Sequence, residues 1–286
     1  MANGKGKKKI NLKRRLAIAL AVLFGVLAIF FTVCLGTPIQ LNTWEYWTPD
    51  YDKIDITSLL SKRERTEADY EILYRQTGLK AAAVEDFLLE ENGVSQIKKV
   101  QDYFFKPPDR EGRYTSPVMY MDETSTYATI APLKDGDVLV TATTIVTWWR
   151  VGHSALVVDG ENRMVLESIG VGSVSEYNNA IVFANLVNFM VLRPKADEET
   201  KAKAVAYAKE NLVGIPYFAP IGALSKKYPK QIKNTQCAHL IWYAYKRFGV
   251  DLDSNGGGMV LPKDLANSDQ MEVVQVYGFD LDRLWK

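Results

Sequence analysis

Histidine and cysteine, the side chains most often used for metal binding and nucleophilic catalysis, are nearly absent from this chain. It has two histidines, His153 and His239, and two cysteines, Cys34 and Cys237, in 286 residues. Metal sites built on several histidines are therefore excluded, and neither CxxC nor HExxH spacing occurs. Cys34 lies in an apolar run far from Cys237, so no disulfide framework is legible. A P-loop and a GxSxG nucleophile elbow are also missing. Acidic residues are absent from residues 1–15, which hold seven lysines and arginines. Subtracting these leaves 28 basic (35 less 7) against 34 acidic residues, a charge of −6 on the remainder. A basic tip on a mildly acidic body argues against nucleic acid as a partner and for membrane targeting. With 47% hydrophobic and 24% charged residues, the chain is neither disordered nor fibrous, and it can fill a core.

Leu16 to Leu35 is a run of twenty residues without a charge. As a helix it would rise roughly 30 Å, the thickness of a bilayer's hydrocarbon core. The expectation is a basic cytoplasmic tip at 1–15, a single transmembrane anchor at 16–35, and everything beyond it outside the cell membrane. A cleaved signal peptide is the alternative, but its apolar region would normally be only about 7–15 residues. Residues 37–54 read as a juxtamembrane linker, with Trp44, Tyr46 and Trp47 suited to lipid headgroups.

Residues 55–116 form a small helical segment and linker. Thr66 before Glu67, Ala68 and Asp69 marks a helix start that Gly78 can end; further helices fit Ala81 to Glu91 and Val94 to Phe105, before Pro107 and Pro108. From Pro117 to residue 286 the texture changes. Val138 to Thr144, His153 to Val158 and Arg163 to Ser168 read as strands, the last two joined through Asp159-Gly160-Glu161-Asn162. At least one more strand lies in Ala180 to Arg193. Helices follow at Glu198 to Leu212 and Cys237 to Phe248. Strands followed by helices predict an α+β domain with an antiparallel sheet packed on helices.

Asn234-Thr235-Gln236 can cap a helix that begins at Cys237. A thiol in a first helical turn meets backbone N–H groups and the positive end of the helix dipole, which stabilise the thiolate. The bland alternative is a small buried hydrophobe. His239, two residues along the same helix, points about 200° away and suits a structural or rim position. His153 opens a strand after Gly152, where the chain tolerates close approach, and is the one well-placed imidazole. A third group should orient it. Glu167, within the apolar Met164-Val165-Leu166-Glu167, faces His153 if the hairpin loop has three residues; otherwise Ser168 does. A carboxylate in an apolar strand also needs a partner to offset its desolvation.

These residues resemble a family. Gly214-Ile215-Pro216-Tyr217, then Cys237-Ala238-His239-Leu240-Ile241-Trp242-Tyr243-Ala244-Tyr245 and Gly249, look like the signature of NlpC-type cell-wall hydrolases of papain-like fold. Gly152-His153-Ser154-Ala155 and Leu166-Glu167-Ser168 precede the cysteine, and Pro262-Lys263-Asp264-Leu265 follows it. That order is similar to the circularly permuted branch, the YiiX-like proteins and the lecithin:retinol acyltransferase-like group. The resemblance spans about residues 130–270. It implies a permuted papain-like fold at 117–286 and a thiol hydrolase with Cys237 as nucleophile, His153 as base and Glu167 as orienter. It also implies that Tyr217 and the Cys237 N–H assist the reacting carbonyl oxygen, and that the substrate is an amide or peptide of cell-wall peptidoglycan. A lipid acyl hydrolase or transferase, or a silent module that binds wall peptides, stays open. His239 departs from the family pattern. No metal or organic cofactor is implied, and the oligomeric state is unknown.

Overall fold

The computed structural model describes residues 12–36, 46–107, 128–146 and 149–285. Expectations for the basic tip up to residue 11, for Trp44, and for the boundary from 108 to 117 lie outside them. The chain divides into two units, residues 1–45 and 46–286.

In the first unit a helix, α1, spans Leu12–Gly36. Its described side chains, residues 14–29, are exposed and include Arg14 and Arg15. Among the described residues no helix is long and apolar enough to cross a membrane. The expectation of a transmembrane helix at 16–35 is corrected accordingly.

The second unit opens with residues that pack onto it. The Trp47 N–H donates to Gly278 O at 3.1 Å, and its indole meets Phe104 edge-on at 5.6 Å. Trp47 thus serves the fold rather than a lipid headgroup. Four helices follow: α2 (Thr57–Leu60), α3 (Glu67–Thr77), α4 (Ala81–Leu88) and α5 (Gly93–Phe104). Helix α3 begins where the sequence indicates. The Thr66 hydroxyl accepts from Asp69 N–H and the Asp69 carboxylate accepts from Thr66 N–H, a reciprocal capping box. Gly78 ends it with φ +71, and a Cβ there would lie 2.0 Å from Val276 O.

The sheet is built from β1 (Val138–Thr141), β4 (His153–Asp159), β5 (Met164–Glu167), β6 (Glu176–Asn179), β7 (Phe189–Pro194) and β8 (Met271–Tyr277). Between β1 and β4, β2 (Ile145–Val146) and β3 (Trp149–Arg150) form a separate small ribbon. The six strands run antiparallel in the order β6-β5-β4-β1-β7-β8. Alternation sorts their side chains. Val138, Val140, Leu156, Val158, Leu166, Met190 and Leu192 join the main core with α7 (Glu198–Asn211) and α8 (Cys237–Lys246). Each such buried side chain stabilises the fold by roughly 1.5–3 kcal/mol. Two short helices, α6 (Ile181–Ala184) and α9 (Pro262–Ala266), complete the unit.

Two features fix the frame around the site. The buried Arg193 guanidinium donates twice to Asp137, at 2.8 Å each, tying the end of β7 to the start of β1. The α3–α4 turn closes the β8 edge: Val276 N–H donates to Gly78 O at 2.8 Å and Lys80 N–H to Val274 O at 3.0 Å. The helical segment is therefore part of the same compact unit as the sheet. The expected α+β architecture, an antiparallel sheet on helices, is present.

Candidate active site

Cys237 is the first residue of α8, capped by Gln236, whose Oε1 accepts from Ala238 N–H at 3.0 Å. The Gln236 amide also donates to Val260 O, which pins the cap. Ala238, Leu240, Ile241, Tyr243 and Tyr245 are buried, so the helix start cannot shift without disturbing the core. At this position the Cys237 N–H has no intrahelical acceptor.

Three expected residues come together. The His153 Nε2–H donates to Glu167 Oε2 at 2.6 Å. The imidazole also lies close enough to the Cys237 thiol for each to shift the other's pKa. Glu167 is 3% exposed. The hairpin register differs from expectation: the strands close at Asp159 and Met164 around a four-residue loop rather than three, and a bulge between Val157 and Asp159 recovers one position, so Glu167 pairs with Ala155, not His153. The contact survives as a diagonal across two strands on one face, a distance that long side chains bridge. Ser168, the alternative partner, is buried and its hydroxyl has no partner.

Charge follows from this geometry. Burial alone would lower the His153 pKa, but hydrogen bonds and charge attraction from Cys237 and Glu167 raise it well above the ordinary value. Burial alone would raise the Cys237 thiol; His153, together with the hydroxyl and N–H of Ser154, brings it below the ordinary value. Glu167 follows the same pattern: desolvation is outweighed by His153 and Asn178, and its carboxyl is lowered. Each of the three groups is thus shifted toward its charged form. The thiol donates to Gln236 Oε1 at 3.3 Å.

Tyr217 reaches the site by a parallel bridge to Thr235, with Phe218 N–H donating to Thr235 O at 2.7 Å. Burial and then the negative charge of Cys237 push its hydroxyl up to about 12, so it remains a donor near neutral pH. Gly152, before His153, has φ +72, and a Cβ would lie 2.2 Å from the Trp285 ring and 2.5 Å from Thr141 O. The close approach expected at this glycine is made by the chain itself. His239 is fully buried and lies apart from the charged group: Nε2–H donates to Lys227 O at 2.7 Å, and Nδ1 accepts from Thr235 Oγ1 at 3.0 Å. Burial lowers it to about 4.

Three contributors escape sequence reasoning. Ser154 is buried, its hydroxyl has no hydrogen-bond partner, and it helps lower the Cys237 thiol. Asn178 donates to Glu167 Oε1 at 2.7 Å. Phe183 stacks on the His153 ring at 5.9 Å, nearly parallel at 15°. A hydrophobic strand before a glycine-histidine pair signals none of them, because each depends on register or on another element. A cavity of ≈ 80 Å³ opens beside the His153–Glu167 pair, lined among others by Asn178, Phe183 and Ile169. Among the described residues no three His, Cys, Asp or Glu side chains gather as metal ligands. Comparison of the chain with protein-family models, with curated proteins and with solved structures finds no match.

Proposed function

We propose that this chain is a cysteine amidase or peptidase, with Cys237 as nucleophile, His153 as acid–base and Glu167 as orienter. The observation that carries this reading is the 2.6 Å His153–Glu167 pair engaging a thiol at a helix start. The Cys237 thiolate attacks the carbonyl carbon of an amide and a C–S bond forms. The carbonyl oxygen gains negative charge, which the Cys237 N–H and the Tyr217 hydroxyl are suited to receive. As the C–N bond breaks, the imidazolium of His153 protonates the departing amine, leaving a thioester. The neutral imidazole then takes a proton from water, whose oxygen attacks the thioester. The C–S bond breaks, the acid leaves, and the proton returns the site to its starting state.

The order His153, Glu167, Cys237 along the chain and the antiparallel sheet against α8 support a permuted papain-like arrangement. On that resemblance the substrate is a peptide or isopeptide amide of the cell wall. Such a substrate requires the domain to lie outside the cytoplasm, which an impermeant lysine reagent on intact cells tests. A second reading, fatty acyl transfer or hydrolysis, is favoured by one observation. Ile169, Val171 (90% exposed) and Val174 lie exposed on the loop whose Ser173 O accepts from Tyr217 N–H. Turnover of a fatty acyl ester with none of wall peptides would select it.

The first test is the rate of Cys237 alkylation against pH in the full chain, with Cys34 distinguished by peptide mass. The expected midpoint lies well below the free-thiol value of about 8.5 and moves up in His153→Ala and Glu167→Ala. A midpoint near 8.5 that ignores both substitutions would refute the mechanism.

A further inference from the structure

We infer that Asn178 is a positioning residue, the outer member of a polar relay Asn178–Glu167–His153–Cys237; this rests on the thiol–imidazole reading above. Two successive diagonal steps on one sheet face build the relay. Ala155 pairs with Glu167, so His153 reaches Glu167 diagonally; Val165 pairs with Asn178, so Glu167 reaches Asn178 in the same way. Three neighbouring strands thus place imidazole, carboxylate and amide in one line.

The amide has a fixed orientation. Asn178 Oδ1 accepts from the Asn179 N–H at 2.8 Å, which turns Nδ2 toward Glu167 Oε1 at 2.7 Å. One carboxylate oxygen is thereby held by Asn178 and the other is left for His153 Nε2–H at 2.6 Å. The next residue acts on the opposite side of the imidazole. Asn179 Oδ1 accepts from Ile181 N–H at 2.9 Å, anchoring the turn that carries Phe183 over the His153 ring. Asparagine has little intrinsic preference for a strand, and this dipeptide sits on the edge strand β6. Its placement is explained by what it holds. Glu176, the register partner of Glu167, is exposed to solvent. The groups that act on the Glu167 carboxylate are His153 and Asn178.

Removing the amide leaves a buried carboxylate oxygen without its donor. The carboxylate is then less stable, its hold on the imidazolium weakens, and the thiolate loses part of its counter-charge. The experiment measures the pH midpoint of Cys237 alkylation by iodoacetamide in full-length wild type, Asn178→Leu, Asn178→Ala, Asn178→Gln and His153→Ala, with melting curves beside it. The expected result is an upward shift of at least about half a pH unit in the Leu and Ala variants, with Gln restoring most of it. The Ala variant suits a half-exposed edge position and keeps the test open if Leu misfolds. A wild-type midpoint in a folded Leu or Ala variant, with His153→Ala shifted, overturns the relay and leaves the thiol–imidazole pair standing. A wild-type midpoint in His153→Ala overturns the underlying reading itself.

Discussion

The two histidines occupy buried surroundings in the same unit, and those surroundings move them in opposite directions. His153 meets a carboxylate and a thiol, and both favour its charged form strongly enough to overcome desolvation. His239 meets a carbonyl and a hydroxyl; desolvation wins and it stays neutral. Burial by itself therefore does not decide which histidine is held charged. The decisive quantity is whether the partner carries or can acquire a negative charge.

The contrast is broken most strongly by pH. An unfolded histidine titrates near 6.5, and His239 folds with a value of about 4. Between these values the unfolded chain binds more protons. The stability contributed by neutral His239 is complete above about pH 6.5 and drains as pH falls toward 4, by roughly 3 kcal/mol in all. His153 has the opposite sign: its raised value contributes stability below about 6.5 that is lost as pH rises through the folded value. His239→Gln should flatten the acid side of a melting-temperature profile while leaving Cys237 alkylation at neutral pH in place. An unchanged acid slope would remove His239 from the account.

The next effect in size concerns the backbone that aims His153. Gly152→Ala places a methyl against Trp285 and Thr141 O in a left-handed conformation. A loss of about 2 kcal/mol in urea unfolding is expected, with slower Cys237 alkylation in the folded fraction. Stability lost with alkylation unchanged would show that Gly152 serves the fold without positioning the imidazole. The smallest effect calibrates the others: Thr66→Ala removes the capping box of α3, far from either histidine in sequence. It should cost about 1 kcal/mol and leave the alkylation profile as it was. A shifted profile would mean that the site senses global stability.

Local chemistry was legible in the sequence where the signal was itself local. Thr66, Asp69 and Gly78 mark α3 at both ends, and Gln236 followed by an apolar helical face marks the start of α8. The pairing of His153 with Glu167 is also foreseeable, because few residues in an apolar strand can satisfy a buried carboxylate. Its register is not, since it depends on a four-residue loop between Asp159 and Met164 and on a bulge between Val157 and Asp159, neither of which the sequence marks. No expectation covers β6, whose Glu-Tyr-Asn-Asn lacks the β-branched character of a strand and is paired through β5. None covers β8 either, although Met-Glu-Val-Val-Gln-Val-Tyr carried an apolar pattern that pointed to it. Hydropathy alone set the expectation of a spanning helix at 16–35, and among the described residues no helix is long and apolar enough to cross a membrane.

The two margins of the sheet differ in a way that bears on how the protein fails. The β8 margin is sewn to the α3–α4 turn, whereas β6 is four residues long, mostly exposed, and holds the outermost amide of the relay. Short edge strands open at a lower free energy than the core they border. Reactivity of the thiol and integrity of the fold consequently have separate thresholds. On warming, the site disarms when β6 frays, while the core between the sheet and α8 is still intact.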